Sequence, residues 1–157
     1  NKDRIVERVD VALADPAVRK TVQGVAFHWY SGDHFEALAE TIRNYPDKEF
    51  IFTEGCVEYT SDRVSTQERK AEQYAHDMIG NLNAGASGII DWNVLLDGRG
   101  GPNHVGNYCE APLMYDVESG ELIINRSYWY IGHFSRFIER GARRFLVSRF
   151  TDDIECT

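Results

Sequence analysis

Long uninterrupted apolar runs are missing from this sequence. No stretch approaches the roughly 18 uncharged apolar residues of a membrane span, so no membrane span is expected. Positive charge is in short supply: 17 Lys+Arg stand against 25 Asp+Glu, a formal net charge of −8. A phosphate-backbone partner favours a basic patch, so no nucleic-acid partner is expected. Cysteine is sparse, at Cys56, Cys109 and Cys156. Three are too few for a disulfide framework, the odd count leaves at least one outside any intramolecular pair, and the redox compartment is not fixed. Low-complexity bias is absent. Apolar residues make up 43%, charged residues 27% and aromatics 12%, values that exclude a collagen-like or disordered chain.

The 157 residues permit one domain with a real core. Position 1 is Asn rather than Met, and no signal-peptide pattern follows it. The run from Phe145 to Phe150 reads as a strand that stops soon after it begins. The expectation is a piece of a longer chain. Its compartment, secreted or periplasmic among the options, is left open.

Periodicity supplies the elements. Ile5, Val9 and Leu13 recur at spacing four and predict a helix over 3–14, which Asp15-Pro16 ends or turns. Gly24 to Tyr30 reads as a buried strand with a polar, aromatic end. Asp33 three residues before Glu36 suggests a cap for a helix carrying Phe35, Leu38 and Ile42. Phe50-Ile51-Phe52-Thr53 is a second buried strand ending in Glu54-Gly55-Cys56. Ser65 and Glu68 form a capping box for a helix that buries Ala71, Tyr74, Ala75, Met78, Ile79 and Leu82 and stops at Gly85. Gly88-Ile89-Ile90 opens a third strand, followed by Asp91-Trp92-Asn93 and the Gly-rich loop Asp97 to Asn103. A last helix is predicted over Ser127 to Phe137. Strands separated by helices imply crossover connections and a parallel sheet. Continuous apolar strands imply a sheet covered on both faces.

In parallel α/β folds ligands bind at the carboxyl ends of the strands. His28, Trp29, Tyr30, Glu54, Cys56, Asp91, Trp92 and Asn93 should therefore converge. Glu54 carries the most information: a carboxylate at a strand's end, half desolvated, suits a nucleophile or general acid/base. The plainer reading is a loop cap. His28-Trp29-Tyr30 could orient that carboxylate, although Trp29 by itself reads as packing. Trp92 could stack on a sugar or serve as a core tryptophan. A Cys56 nucleophile paired with His28 has no spacing signature and Cys is commonly a small buried residue. No two of His28, His104 and His133 share one element at ligand spacing, so no metal site is expected. Gly98 to Gly101 lacks the Gly-Lys-Ser/Thr ending of a phosphate loop. Asn125-Arg126-Ser127 matches a glycosylation sequon of a kind common by chance.

Taken together, several motifs carry a family resemblance. Phe27-His28-Trp29-Tyr30, Phe52-Thr53-Glu54-Gly55-Cys56, Asp91-Trp92-Asn93-Val94-Leu95-Leu96-Asp97, Gly100-Gly101-Pro102-Asn103 and Tyr130 to Ile138 follow in order. They resemble the glucosylceramidase family of glycoside hydrolases (acid β-glucosidases, family thirty) over nearly the whole chain. The resemblance implies an α/β fold: the C-terminal portion of a (β/α)8 TIM barrel, strands six to eight, over residues 1–140. Residues 141–157 would be the first strand of an attached, truncated β-sandwich. It implies a retaining β-glycosidase with Glu54 as nucleophile, His28, Tyr30, Trp92 and Asn107 at the substrate, and no metal or organic cofactor. The substrate would be a β-glucoside, a glycolipid or a glucan. Two local departures, Gly55 where Ala is also common and His104 where Trp often follows, count for little. One departure is large. Retaining glycosidases need two carboxyl groups about 5–5.5 Å apart, and the family's acid/base is the Glu of an Asn-Glu motif after strand four. This chain has no Asn-Glu dipeptide, so that Glu and the N-terminal part of the barrel are expected outside it. A β-1,6-glucanase and a non-catalytic carbohydrate-binding remnant are the alternatives.

Overall fold

The helices and strands that the periodicity predicts interleave through the first ninety residues, joined by a short second helix over 16–21 and a two-residue strand at 57–58. The structure, a computed structural model, describes residues 1–157, the side chain of Arg63 excepted. A 3-10 turn (Lys2–Arg4) leads into α1 (Ile5–Ala12). Then come α2 (Pro16–Thr21), β1 (Gly24–His28), α3 (Phe35–Asn44), β2 (Glu49–Glu54) and β3 (Val57–Glu58). After them follow α4 (Arg63–Ala84), β4 (Gly88–Ile89), β5 (Leu95–Asp97) and β6 (Cys109–Glu110). The last elements are β7 (Leu113–Asp116), β8 (Glu121–Ile124) and α5 (Arg126–Phe137). The chain forms two compact units, one of residues 1–55, 77–90 and 144–157, the other of residues 56–76 and 91–143.

The first unit is a parallel β/α layer. Its sheet runs β1-β2-β4, with β2 parallel to both neighbours. Phe27 and Phe52 are register partners and meet edge to face at 5.9 Å, a geometry aromatic pairs prefer. Ile5, Val9, Leu13, Leu38, Phe50 and Met78 are buried in this unit, which is the apolar stripe of each helix turned inward. Lys2 is fully buried as well. Its ammonium donates to Asp77 Oδ1 at 2.6 Å and Asn81 Oδ1 at 3.3 Å and lies 4.4 Å from the Phe35 ring centre. Asn81 in turn donates to Asp77 Oδ2 at 2.6 Å. A side chain at Gly80 would overlap the Phe35 ring, so glycine there admits that ring against α4.

Three expectations about element ends are corrected. Asp15-Pro16 does not merely end a helix: Asp15 caps α2, accepting from the Ala17 amide at 2.7 Å with proline in the first turn, where its missing N–H costs nothing. Asp33 does not cap α3; the cap position is His34, in the left-handed region at φ 39°, with no side-chain cap bond. Ser65 does not cap α4, because that helix starts earlier. Asp62 accepts from both the Ser65 amide and its hydroxyl. Gly85 ends the helix as expected, at φ 107°, a conformation that costs glycine little. No strand forms over 144–150, where one is predicted. Phe145, Leu146 and Phe150 are exposed, and a strand requires a partner ladder for its backbone groups.

The second unit has a different construction. β3 and β6 form a short antiparallel ribbon. A separate sheet runs β5-β7-β8, parallel between β5 and β7 and antiparallel between β7 and β8. Asp116 Oδ1 accepts from the Glu118 amide at 2.9 Å and shapes the turn between β7 and β8. Within this unit Lys70 and Glu110 form a buried ion pair at 2.7 Å. Gln67 Nε2 also donates to Glu110, at 2.9 Å. Asn125, the sequon asparagine, is buried and its amide donates to the Ala111 carbonyl at 2.7 Å, so it is not placed for glycosylation.

Candidate active site

The carboxyl edge of the parallel sheet is where the first unit places its chemistry. β1 and β2 stay in step from Gly24↔Glu49 to Phe27↔Phe52, then shift by one residue so that His28 opposes Glu54. Such irregularities re-aim side chains beside functional sites. His28 Nδ1 lies 3.8 Å from Glu54 Oε1, and the two side chains keep 37% and 26% of their surface exposed. Glu54 is thus partly desolvated yet reachable, with an imidazole beside it. Tyr30 meets the His28 ring edge to face at 6.0 Å and is itself half exposed. His28, Tyr30 and Glu54 therefore come together as predicted. Trp29 is packing, as its plainer reading had it: buried and 6.0 Å from the Phe52 ring.

Gly55 matters more than the sequence suggested. A Cβ there would come 2.6 Å from Phe52 Cζ and 2.8 Å from Trp29 Cε2. Those are buried rings, not yielding side-chain tips. In this chain glycine at 55 lets the Trp29–Phe52 pair fill the space directly behind Glu54.

Trp92 and Asn107 belong to the second unit. Both are exposed. Trp92 borders a groove of about 780 Å³ that Asp91, Trp129, His133, Arg136 and Phe137 also line. Asp91 is a perturbed carboxyl at the edge of this groove. Burial pushes it up to about 6, tempered by the Trp92 amide and the Tyr74 hydroxyl. Among the described residues neither of its buried oxygens has a hydrogen-bond partner of good geometry. The sequence placed Asp91 at a strand end but carried no sign that its carboxyl would be desolvated. Cys56 packs against Leu96, Cys109 and Ala111, as a small apolar residue does, and remains partly exposed.

A parallel β/α sheet that presents polar side chains at adjacent strand carboxyl ends is built as the active-site face of a β/α barrel is. The chain belongs to glycosyl hydrolase family 30: the TIM-barrel domain of that family matches residues 1–138. It is 35% identical over 154 residues to the lysosomal acid glucosylceramidase of Mus musculus, a match that covers 93% of this chain and 30% of the mouse protein. It is likewise 35% identical over 139 residues to the putative glucosylceramidase 3 of Caenorhabditis elegans, covering 86% of this chain and 27% of that protein. Among solved structures, SrfJ from Salmonella typhimurium superposes with a TM-score of 0.94 at 47% identity, over 99% of this chain and 35% of that one. The endo-β1,6-glucanase BT3312 superposes with a TM-score of 0.76 at 29% identity, over 89% of this chain and 31% of that one. The chain thus spans about 30% of the mouse relative's length.

Proposed function

We propose that this chain carries the nucleophile side of a retaining β-glycosidase. The observation that carries the reading is Glu54 at the end of β2, 3.8 Å from His28 at the end of β1, on a parallel sheet in a chain of this family. Glu54 attacks the anomeric carbon of a β-glucoside. A glutamic acid outside this chain protonates the leaving oxygen, then activates the water that hydrolyses the glycosyl-enzyme, so configuration is retained. His28 and Tyr30 orient Glu54, and by the family pattern Trp92 and Asn107 contact the sugar. In this reading β1, β2 and β4 are strands six, seven and eight of a (β/α)8 barrel. The N-terminal part of that barrel is the required partner, and residues 141–157 lead into a β-sandwich. The chain by itself is inactive, because it lacks the acid/base.

The test is Glu54→Gln in the full-length protein. Turnover and covalent labelling by a 2-fluoro sugar are both expected to vanish; retained turnover overturns the assignment. For the substrate, the 35% identity to a glucosylceramidase favours a β-glucosyl lipid. The likeness to an endo-β1,6-glucanase makes β-1,6-glucan the second reading. Product analysis on both substrates separates them, and binding without hydrolysis of either would favour a carbohydrate-binding remnant.

A further inference from the structure

Cys56 and Cys109 are 53 residues apart in sequence, yet their sulfurs lie 2.7 Å from one another. Both are thiols in this structure. The approach follows from the β3–β6 ribbon. Glu58 is the register partner of Cys109, and Cys56, two residues before Glu58, projects on the same face. The two cysteines are therefore diagonal neighbours on one face, and their sulfurs converge between the two strands. The ribbon cannot easily spread. The Tyr59 amide continues it by donating to the Tyr108 carbonyl at 3.0 Å. Glu110, next to Cys109, is held by the buried Lys70 ammonium and by Gln67. On the other side the Cys109 amide donates to the Gly100 carbonyl at 3.2 Å, and a side chain at Gly100 would overlap the Cys109 carbonyl. The Cys109 sulfur is thus positioned by backbone fixed on two sides.

We propose that Cys56 and Cys109 are a dithiol–disulfide site, closed by exchange with a low-molecular-mass disulfide of the glutathione type. A disulfide has its sulfurs about 2.05 Å apart, so closure requires only a small further approach. Cys56 is half-buried and Cys109 buried, which makes Cys56 the entry point. Its thiolate attacks one sulfur of the external disulfide, forming a mixed disulfide and releasing one thiol. The Cys109 thiolate then attacks Cys56 Sγ and releases the second thiol. Two protein thiols are oxidised to one disulfide, one external disulfide is reduced to two thiols, and the two protons pass to the departing thiolates. Cys156 takes no part; its carbonyl accepts from Asn83 within the first unit. The bond would tie the segment that follows Glu54 to the loop that holds Asn107, two residues before Cys109. The inference does not depend on the role assigned to Glu54, because its readout is covalent.

The experiment equilibrates the full-length protein with oxidised and reduced glutathione at graded ratios, quenches with acid, alkylates, and maps peptides by mass spectrometry. A Cys56–Cys109 cross-linked peptide, two hydrogens lighter than the reduced pair, is expected to accumulate as the ratio rises. Alkylation of both cysteines should slow by about tenfold or more while that of Cys156 stays unchanged. Cys109→Ser, with its fold checked by circular dichroism, should stop at the mixed disulfide on Cys56. Full alkylation of Cys56 and Cys109 at every ratio, or a bridge that includes Cys156, overturns the proposal.

Discussion

The two units solve the same problem with different materials. The first stacks amphipathic helices on a parallel sheet of aromatic strands, with Phe27, Phe50, Phe52 and Leu38 in the interior. The second has strands of two to four residues and a small cluster of Leu96, Cys109 and Ala111 with Cys56 against it. Each buries one lysine–carboxylate pair, at 2.6 Å for Lys2–Asp77 and 2.7 Å for Lys70–Glu110. In the first unit the pair is embedded among apolar stripes that would associate without it. In the second, Glu110 takes Lys70 and Gln67 at once, and this polar knot joins the ribbon to the first part of α4. A buried ion pair is thus a positioning device in one unit and a principal fastening in the other.

Breaking one pair at a time is the sharpest way to test that contrast. Removing a single partner leaves a buried charge without compensation, at a cost of about 3–5 kcal/mol. Asp77→Leu and Glu110→Leu should each lose that much in denaturant melts. Hydrogen exchange should separate them: Asp77→Leu raises exchange at Phe50 and Phe52, and Glu110→Leu raises it at Tyr59 and Cys109. Adding Lys2→Met to Asp77→Leu still strands the buried Asn81 amide that bonds both, and Lys70→Met with Glu110→Leu strands Gln67 and Thr60; the first pair should recover more of its loss, because the apolar stripes around it remain to associate. Equal recovery in the two units would remove the distinction drawn between them.

A smaller effect comes from Asp91. Its folded-state value of about 6 stands above the ordinary 3.8, so the folded state binds its proton more tightly than the unfolded chain. The resulting stability is complete below about pH 3.8 and is lost as the pH rises through about 6. A two-unit shift corresponds to about 3 kcal/mol at most. Asp91→Asn should therefore stabilise the chain by about 2–3 kcal/mol at pH 7 and by nothing at pH 3.5, as read from thermal melts at both values. A gain that does not change with pH would show that Asp91 is not held as an acid.

Gly55→Ala should cost about 1–3 kcal/mol by overpacking, through the displacement of Trp29 and Phe52. Its larger signature is a fall in turnover of the full-length protein, because the carboxylate of the preceding residue, Glu54, moves with the backbone. Unchanged turnover would show that the aromatic pair yields freely behind Glu54. The smallest effect is expected at Asp15→Ala, about 1 kcal/mol for one lost cap, confined to exchange in α2.

Legibility in the sequence followed the same division. The parallel unit was readable because each element there is long enough to show a period: Ile5, Val9 and Leu13 announce α1, and the run Phe50 to Thr53 announces β2. Glu54, His28 and Tyr30 were readable as a group because each follows a strand in a fold whose strand ends gather. The ribbon β3–β6 and the sheet β5-β7-β8 went unread, because two to four residues display no period. Only the hairpin had left a trace, in Gly120 before Glu121 to Ile124 and the matching run Leu113 to Asp116. Nothing in the local sequence marks Lys2, Asp77 and Lys70 as buried, since burial of a charge depends on a partner that local sequence does not contain.

Local order and period alone determined that strands alternate with helices, that the sheet is parallel, and that a glutamate and a histidine stand at adjacent strand ends. The tertiary structure alone decided the one-residue shift that sets His28 opposite Glu54 and the aromatic wall that requires glycine at 55. It also decided which charges are buried, and that two thiols 53 residues apart meet. The reason is physical. Periodicity is a property of neighbouring residues, whereas register, desolvation and side-chain contact are properties of segments that come together only when the chain has folded.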